Sequence, residues 1–316
     1  MSSCSTYMQG FNFMIEIRAL NSQNQLPDLL AFWNRNVRYD PMPAHILLEK
    51  TFGDPDFNSD LTLVAMENRK ILGFMQGLFR QIEPNVKRGW IKLFATDKKY
   101  RRQGIATMLL KKIEAKMKSQ GVKTIRLLDS NPNYFQPGID PRYTEAIAFA
   151  ERNGFKRFAD TSNLEVDLQH QDFDTCAEEQ QLASENIFIR RATNADWHLV
   201  EDLIVNHFKA WLIEIQTTYK NNPLSLHIAE YNGKIEAFSA YDSNNLNTGW
   251  FGPMGTNPVL RGKGIGGILL KRCLDDMKKQ GHNVSIIPWV GPIPFYLHYA
   301  NARLTRVFWR YEKELK

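Results

Sequence analysis

At 316 residues, with 43% apolar and 12% aromatic side chains, the chain is about two ordinary globular domains long, and each half can bury its own core without a metal or disulfide staple. A net charge of +6 favours an anionic partner. With no basic run interleaved with aromatics and no recognition motif, that partner reads as a small polyanion such as a phosphorylated cofactor, not as nucleic acid. Three scattered cysteines (Cys4, Cys176, Cys273) form no disulfide or metal-ligand spacing, and no apolar run approaches about 18 residues. The expectation is therefore a cytoplasmic protein with no metal and no membrane partner.

In chain order, the first dozen residues read as a loose extension, because strand-like sequence begins only near Phe13. A strand over 13–19 leads into helices rich in Trp and Leu. The segment 67–74, "ENRKILGF", then reads as strand, tight turn, strand. A strand over 90–96 follows, then a turn, a long amphipathic helix ending at Gly121, a strand over 124–129, a helix over 143–153 and a closing strand from 155. Residues 169–186, "QHQDFDTCAEEQQLASEN", are polar, acidic and weakly periodic, and read as a linker.

The same plan then repeats. Strands are expected over 187–192, 250–256 and 284–289, a hairpin over 231–238 ("YNGKIEAF"), a helix over 294–301 and closing strands over 303–311. Arg101–Gly121 and Arg261–Gly281 are identical at ten positions, among them the leading Arg, Gly104/Gly264, Ile105/Ile265 and Leu109/Leu269. A period near 160 residues means two duplicated domains, expected at 13–168 and 187–316. Strands on both sides of a helix make each a mixed α/β sheet with a crossover.

The repeated stretch opens on glycine. "LRGKGIGGILL" carries Gly262, Gly264, Gly266 and Gly267, and its earlier copy reads "YRRQGIATMLL". A strand, a glycine turn and a helix N-terminus together make an anion site, since free backbone N–H groups and the helix dipole both favour negative charge. The spacing of Gly262, Gly264 and Gly267 matches a dinucleotide fingerprint, but no acidic residue ends the next strand and the first copy lacks the pattern. A Walker loop would need Gly-Lys-Ser/Thr, which is absent. A purely structural turn is the remaining plain alternative.

The full spacing is Arg101-x-x-Gly104-x-Ala106 and Arg261-x-x-Gly264-x-Gly266, each five residues after a threonine, Thr96 or Thr256. It resembles the pyrophosphate-binding motif of the GCN5-related N-acetyltransferases (GNAT superfamily), and the duplication resembles the tandem members, such as mycothiol synthases and some glucosaminide N-acetyltransferases. The resemblance implies two GNAT domains and acetyl-CoA as co-substrate. Arg261, Gly262, Lys263, Gly264, Ile265, Gly266 and Gly267 would hold the pyrophosphate, with Met254 and Thr256 beside the pantetheine. Arg101, Gly104 and Ala106 are their counterparts in the first copy.

It also implies a tyrosine that protonates the leaving thiolate. In "PFYLHYANARL" that position is Tyr296; in "AFAERNGF" it is Ala150, which has no proton to give. The second domain is therefore expected to be catalytic and the first degenerate, binding CoA without turnover or serving as a scaffold. Packing of its helix on the sheet is the alternative role for Tyr296. Trp289 stands where many members place an Asn, and reads as an acceptor wall or a core residue; Trp211 reads likewise as pocket or core. Glu214, Glu230, Glu236, Asp242, His207 and His227 are candidate bases, and none stands out. The expected activity is acetyl transfer from acetyl-CoA to a small-molecule primary amine, with an amino sugar suggested by the tandem relatives. A non-catalytic CoA-binding or partner-binding protein is the alternative.

Overall fold

The computed structural model describes residues 15–315, so Cys4 and the strand start expected at Phe13 lie outside the described residues. The chain forms two compact units, one of residues up to 160 together with 308 onward, the other of residues 161–307. In the first unit the elements are β1 (Glu16–Ala19), α1 (Leu26–Asn36), α2 (Ala44–Lys50), β2 (Thr62–Glu67), β3 (Lys70–Glu83), β4 (Val86–Thr96), α3 (Ile105–Ser119), β5 (Val122–Leu127), α4 (Thr144–Arg152) and the start of β6 (Lys156–Asp167). The strands lie in the order β1-β2-β3-β4-β5, antiparallel except for the parallel β4–β5 pair that α3 connects. The β2–β3 hairpin turns on Asn68 and Arg69, both at positive φ (45° and 68°), the backbone of a type I′ turn. Ile105, Leu109, Leu110, Ile113 and Met117 recur at helical spacing on α3 and are buried on one face of the sheet. Leu29, Phe32, Trp33, Ile46 and Leu47 of α1 and α2 cover the other.

The second unit continues with α5 (Cys176–Ser184), β7 (Ile187–Arg191), α6 (Trp197–His207), α7 (Leu212–Thr218), β8 (Leu226–Tyr231), β9 (Lys234–Tyr241), β10 (Phe251–Thr256), α8 (Ile265–Lys279), β11 (Val284–Ile287), α9 (Ile293–Ala300) and β12 (Arg303–Glu314). Strands β7-β8-β9-β10 form an antiparallel sheet. Its β8–β9 hairpin repeats the type I′ backbone at Asn232 and Gly233 (51° and 74°). Helix α8 repeats α3 in place and burial, with Ile265, Leu269, Leu270, Cys273 and Met277 inward.

Two features depart from the sequence expectation. Residues 169–186 are not a bare linker, because α5 lies within them. Its Leu182 is buried, and Glu178 and Glu179 pair with Lys271 and Arg272 of α8, so a short acidic stretch gains its helix from partners far along the chain. The compact units also do not follow the expected 13–168 and 187–316. From Thr161 the chain of β6 belongs to the second unit, where 164–167 pair antiparallel with β11. From Phe308 the chain of β12 belongs to the first, where 312–314 pair antiparallel with β5. Arg310 fixes this return by donating to the buried Asp129 carboxylate at 2.7 and 2.9 Å.

Candidate active site

Strands β4 and β5 pair from Lys87/Val122 to Ile91/Leu127 and then part. Leu128 turns away at a φ of 70°, its N–H donating to the Ile91 carbonyl at 2.8 Å. The parting leaves a cavity of about 860 Å³, bounded by β4 from Lys92 to Thr96, the start of α3, the α4 residues Ala146 and Phe149, and Asn153 just after α4. Its size falls within the range of small-molecule sites, about 300–1,000 Å³. Lys92 is the extra residue of a β-bulge, since Gln76 and Gly77 of β3 face Leu93 and Ile91.

The turn between β4 and α3 is braced from both ends. Asp97 Oδ1 accepts the Lys99 N–H at 2.9 Å, and Arg101 Nε donates to the Thr96 carbonyl while its guanidinium pairs with Glu145 at 3.0 Å. Gly104 caps α3 in the left-handed region at a φ of 81° and offers no side chain to its first turn. Gly104, Ile105, Ala106 and Thr107 all line the cavity. An anion there would face the helix dipole and first-turn amides with nothing between. Lys92, Lys98, Arg101, Arg102 and Arg152 line the same cavity, against two carboxylates, Asp40 and Glu145. The residues present thus fit a phosphorylated cofactor.

Arg102 also stands in the left-handed region, at a φ of 63°, where the second copy has Gly262 at 82°. An L-residue there costs roughly 1–2 kcal/mol. Arg102→Gly is therefore expected to stabilise the first unit by about 0.5–1 kcal/mol, once the entropy of glycine is set against the strain relieved. Urea unfolding reads this directly, and a lowered midpoint would mean that Arg102 sits there without strain.

The second copy repeats the turn. Asn257 accepts the Val259 N–H, Arg261 Nε donates to the Thr256 carbonyl at 3.1 Å, and Gly264 caps α8 at a φ of 75°. A Cβ on Gly262 or Gly264 would meet nothing within 4 Å, and what differs is the packing on the next two glycines. A Cβ on Gly267 would lie 2.1 Å from the Tyr299 ring, and one on Gly266 would lie 3.4 Å from Phe295. Two rings of α9 thus rest on the α8 positions whose first-copy equivalents, Ala106 and Thr107, border the open cavity. The copy expected to be degenerate holds this cavity.

Other residues singled out in the second copy are placed as follows. Met254 packs beside Gly266, Thr256 pairs with Ala237 in the sheet, Ile265 is buried, and Lys263 pairs with Glu185. Tyr296 is 9% exposed, edge-on to Phe251 and Phe295, and burial pushes its hydroxyl up to about 12, so it stays protonated. Trp289 stands at a φ of 49° just past β11, as Leu128 does past β5, and its N–H donates to Asn163 at 3.1 Å. Trp211 stacks on Phe208 at 5.6 Å and meets Phe238 edge-on, which makes it part of the helix–sheet core.

The candidate bases are mostly engaged. His227 is buried against Asp276 at 2.6 Å, and burial lowers its pKa against the pull of that carboxylate. Glu230 pairs with Arg190, Glu236 accepts from Asn257, which also lies 3.5 Å from His207, and Asp242 accepts the Asn247 N–H. Glu214 lies in the first turn of α7.

Sequence reasoning missed the other wall of the first cavity, formed by Trp33, Asp40, Lys92, Phe135, Gln136 and Tyr143. The available signal was length. Residues 128–143 join β5 to α4 without helix or strand, whereas 288–292 suffice between β11 and α9, and irregular connections beyond about 12–15 residues are uncommon and usually functional.

The family model of the GNAT acetyltransferases matches the chain in two segments, residues 26–155 and 190–296. No curated protein sequence matches it. Among solved structures, the fold is similar to the GCN5-related glucosamine N-acetyltransferase region of a fungal multi-domain GH3 β-N-acetylglucosaminidase (TM-score 0.79, 18% identity over 96% of this chain), of whose length the chain spans 38%. It is also similar to a GCN5-related N-acetyltransferase from Sphaerobacter thermophilus (TM-score 0.67, 15% identity, 96% of both chains). A tandem GNAT protein from the clavulanic acid biosynthesis pathway is similar too (TM-score 0.67, 14% identity, 96% of this chain and 99% of that one). With two matched segments, two repeats of the braced glycine turn and a mixed α/β fold shared with tandem structures, the chain belongs to the GNAT acetyltransferase family as a tandem pair of its domains.

Proposed function

We propose that the protein transfers an acetyl group from acetyl-CoA to the primary amine of a small molecule, and that acetyl-CoA lies in the cavity of the first copy. The observation that carries this reading is the continuity of that cavity with the turn at Arg101, Gly104 and Ala106. The turn supplies amides and dipole for the pyrophosphate, and the cationic lining supplies charge for the other phosphates. The parted edge of β4 gives the pantetheine a strand to lie along. A neutral amine attacks the thioester carbonyl carbon, and the C–S bond breaks as the thiolate leaves. An amino sugar is the acceptor class we favour, because the similar fungal region is a glucosamine N-acetyltransferase and the cavity sets carboxylate and amide groups beside Trp33 and Phe135.

A second reading places the chemistry at Arg261–Gly267 with Tyr296 as the acid, and the identical turn backbone favours it. Against it, the Tyr299 and Phe295 rings rest on Gly267 and Gly266, although Gly262 and Gly264 face open space. Tyr296→Phe separates the two. With the first cavity active, the variant should keep turnover at the wild-type level, whereas loss of about 10²-fold or more would give the acid role to Tyr296. Thiol release from acetyl-CoA across glucosamine, aminoglycosides, polyamines and lysine peptides tests the activity itself. Binding without turnover of any amine would favour a CoA-binding protein that does no chemistry.

A further inference from the structure

We propose that Asp40 is the group that anchors the acceptor amine and takes its proton, held for this task by Tyr143 and Gln136. The proposal rests on the reading that the first cavity is the active one.

Of the two carboxylates that line the cavity, Glu145 is two-thirds exposed and paired with Arg101 of the turn. Asp40 is buried and is fixed by other parts of the fold. Its Oδ2 accepts the Tyr143 hydroxyl at 2.8 Å, and its Oδ1 accepts from Gln136 Nε2 at 2.8 Å. The Asp40 main-chain carbonyl accepts the Trp33 indole N–H at 2.8 Å, and the Tyr143 oxygen accepts the Tyr39 N–H at 2.8 Å. Two segments, the loop after α1 and the β5–α4 connection through both Gln136 and Tyr143, therefore converge on one carboxylate. That is more positioning than a surface Asp receives, and second contacts of this kind are what orient a reacting group.

Charge supports the same assignment. The cavity is otherwise lined by Lys92, Lys98, Arg101, Arg102 and Arg152, a field that suits phosphates and repels an ammonium ion. Asp40 supplies the local negative charge an amine needs to enter. Phe135 and Trp33, edge-on at 6.1 Å, stand on the same wall and offer apolar surface to the carbon skeleton bearing the amine.

The step balances without another reactant. The lone pair of a neutral amine forms the C–N bond to the thioester carbonyl carbon, and the proton on that nitrogen passes to Asp40. The carbonyl re-forms as the C–S bond breaks and its electron pair leaves on sulfur. Asp40 then returns the proton through solvent to the thiolate, giving amide, free thiol and the original carboxylate. Tyr143 and Gln136 are positioning residues here, because they act through Asp40.

The test uses the full chain, acetyl-CoA and glucosamine, with the other panel amines alongside. Asp40→Asn keeps the shape and can still accept from Tyr143, so thermal stability and acetyl-CoA affinity should stay within about threefold of wild type while kcat falls about 10²-fold or more. Calorimetric binding of glucosamine to the CoA-loaded protein should weaken in the same variant. Tyr143→Phe should lower kcat about tenfold with acetyl-CoA binding retained. Wild-type kcat and amine affinity in Asp40→Asn would overturn the role of Asp40 and leave the activity standing. A merely structural Asp40 would instead lose stability and acetyl-CoA affinity together, which also overturns the proposal. Turnover lost in Tyr296→Phe but kept in Asp40→Asn would overturn the assignment to the first cavity.

Discussion

Gly104→Val is expected to abolish acetyl-CoA binding, by about 10²-fold or more, whereas Gly264→Val is expected to leave it unchanged. Both glycines cap their helices at nearly the same positive φ, 81° and 75°. Valine is a backbone outlier at either, so the two variants carry similar strain. They differ in the site they border. Gly104 caps α3 and lines the open cavity, so valine there would stand beside the first-turn amides that face a bound phosphate. At 264 a Cβ would itself meet nothing within 4 Å, and it is the next positions, Gly266 and Gly267, that carry the Phe295 and Tyr299 rings. Isothermal titration of each variant, with the melting temperature as a check on folding, gives the comparison. Equal losses in both would show that backbone strain, not the site, controls binding. Loss confined to Gly264→Val would move the co-substrate to the second copy.

The largest expected effect on stability lies beneath the same cavity. Lys92 is fully buried on the β4 bulge and pairs with the buried Asp54, and burial lowers the pKa of the lysine against the pull of that carboxylate. Lys50, also fully buried, pairs with Glu49 nearby and repels Lys92 further. Removing one partner from such a pair leaves the other charge without compensation, at a cost of about 3–5 kcal/mol. Asp54→Ala should therefore lower the urea midpoint of the first unit strongly. Asp54→Leu combined with Lys92→Met should recover most of that loss, because two well-packed apolar groups replace both charges. A loss under about 1 kcal/mol in Asp54→Ala would mean that water reaches the lysine.

Much of this molecule was legible in the sequence because its information is local. The hairpins at Asn68 and Asn232 are written in turn residues, and the glycine turns are written in a fixed spacing before an apolar 3.6-residue period. The duplication made each half a check on the other. The site was less legible, since the open or filled state of a cleft depends on side chains from a distant helix. Tyr299 follows Tyr296 in a helix whose sequence matches the expected pattern, and only its contact with Gly267 reveals what the ring does there. Asp40 and Tyr143 are 103 residues apart and neither belongs to a recognisable motif. Helix α5 escaped notice for a related reason, because its stabilising partners lie on α8.

The exchange of chain ends between β6 and β12 bears on how such a protein can change over time. A gene cut at the old junction of the duplication would yield a first half without the segment that carries Arg310 to Asp129. The second half would lack the stretch that borders β11. Each copy is therefore completed by sequence encoded at the C-terminal end of the other. Neither copy can be discarded without dismantling its neighbour, so the persistence of either needs no catalytic activity of its own.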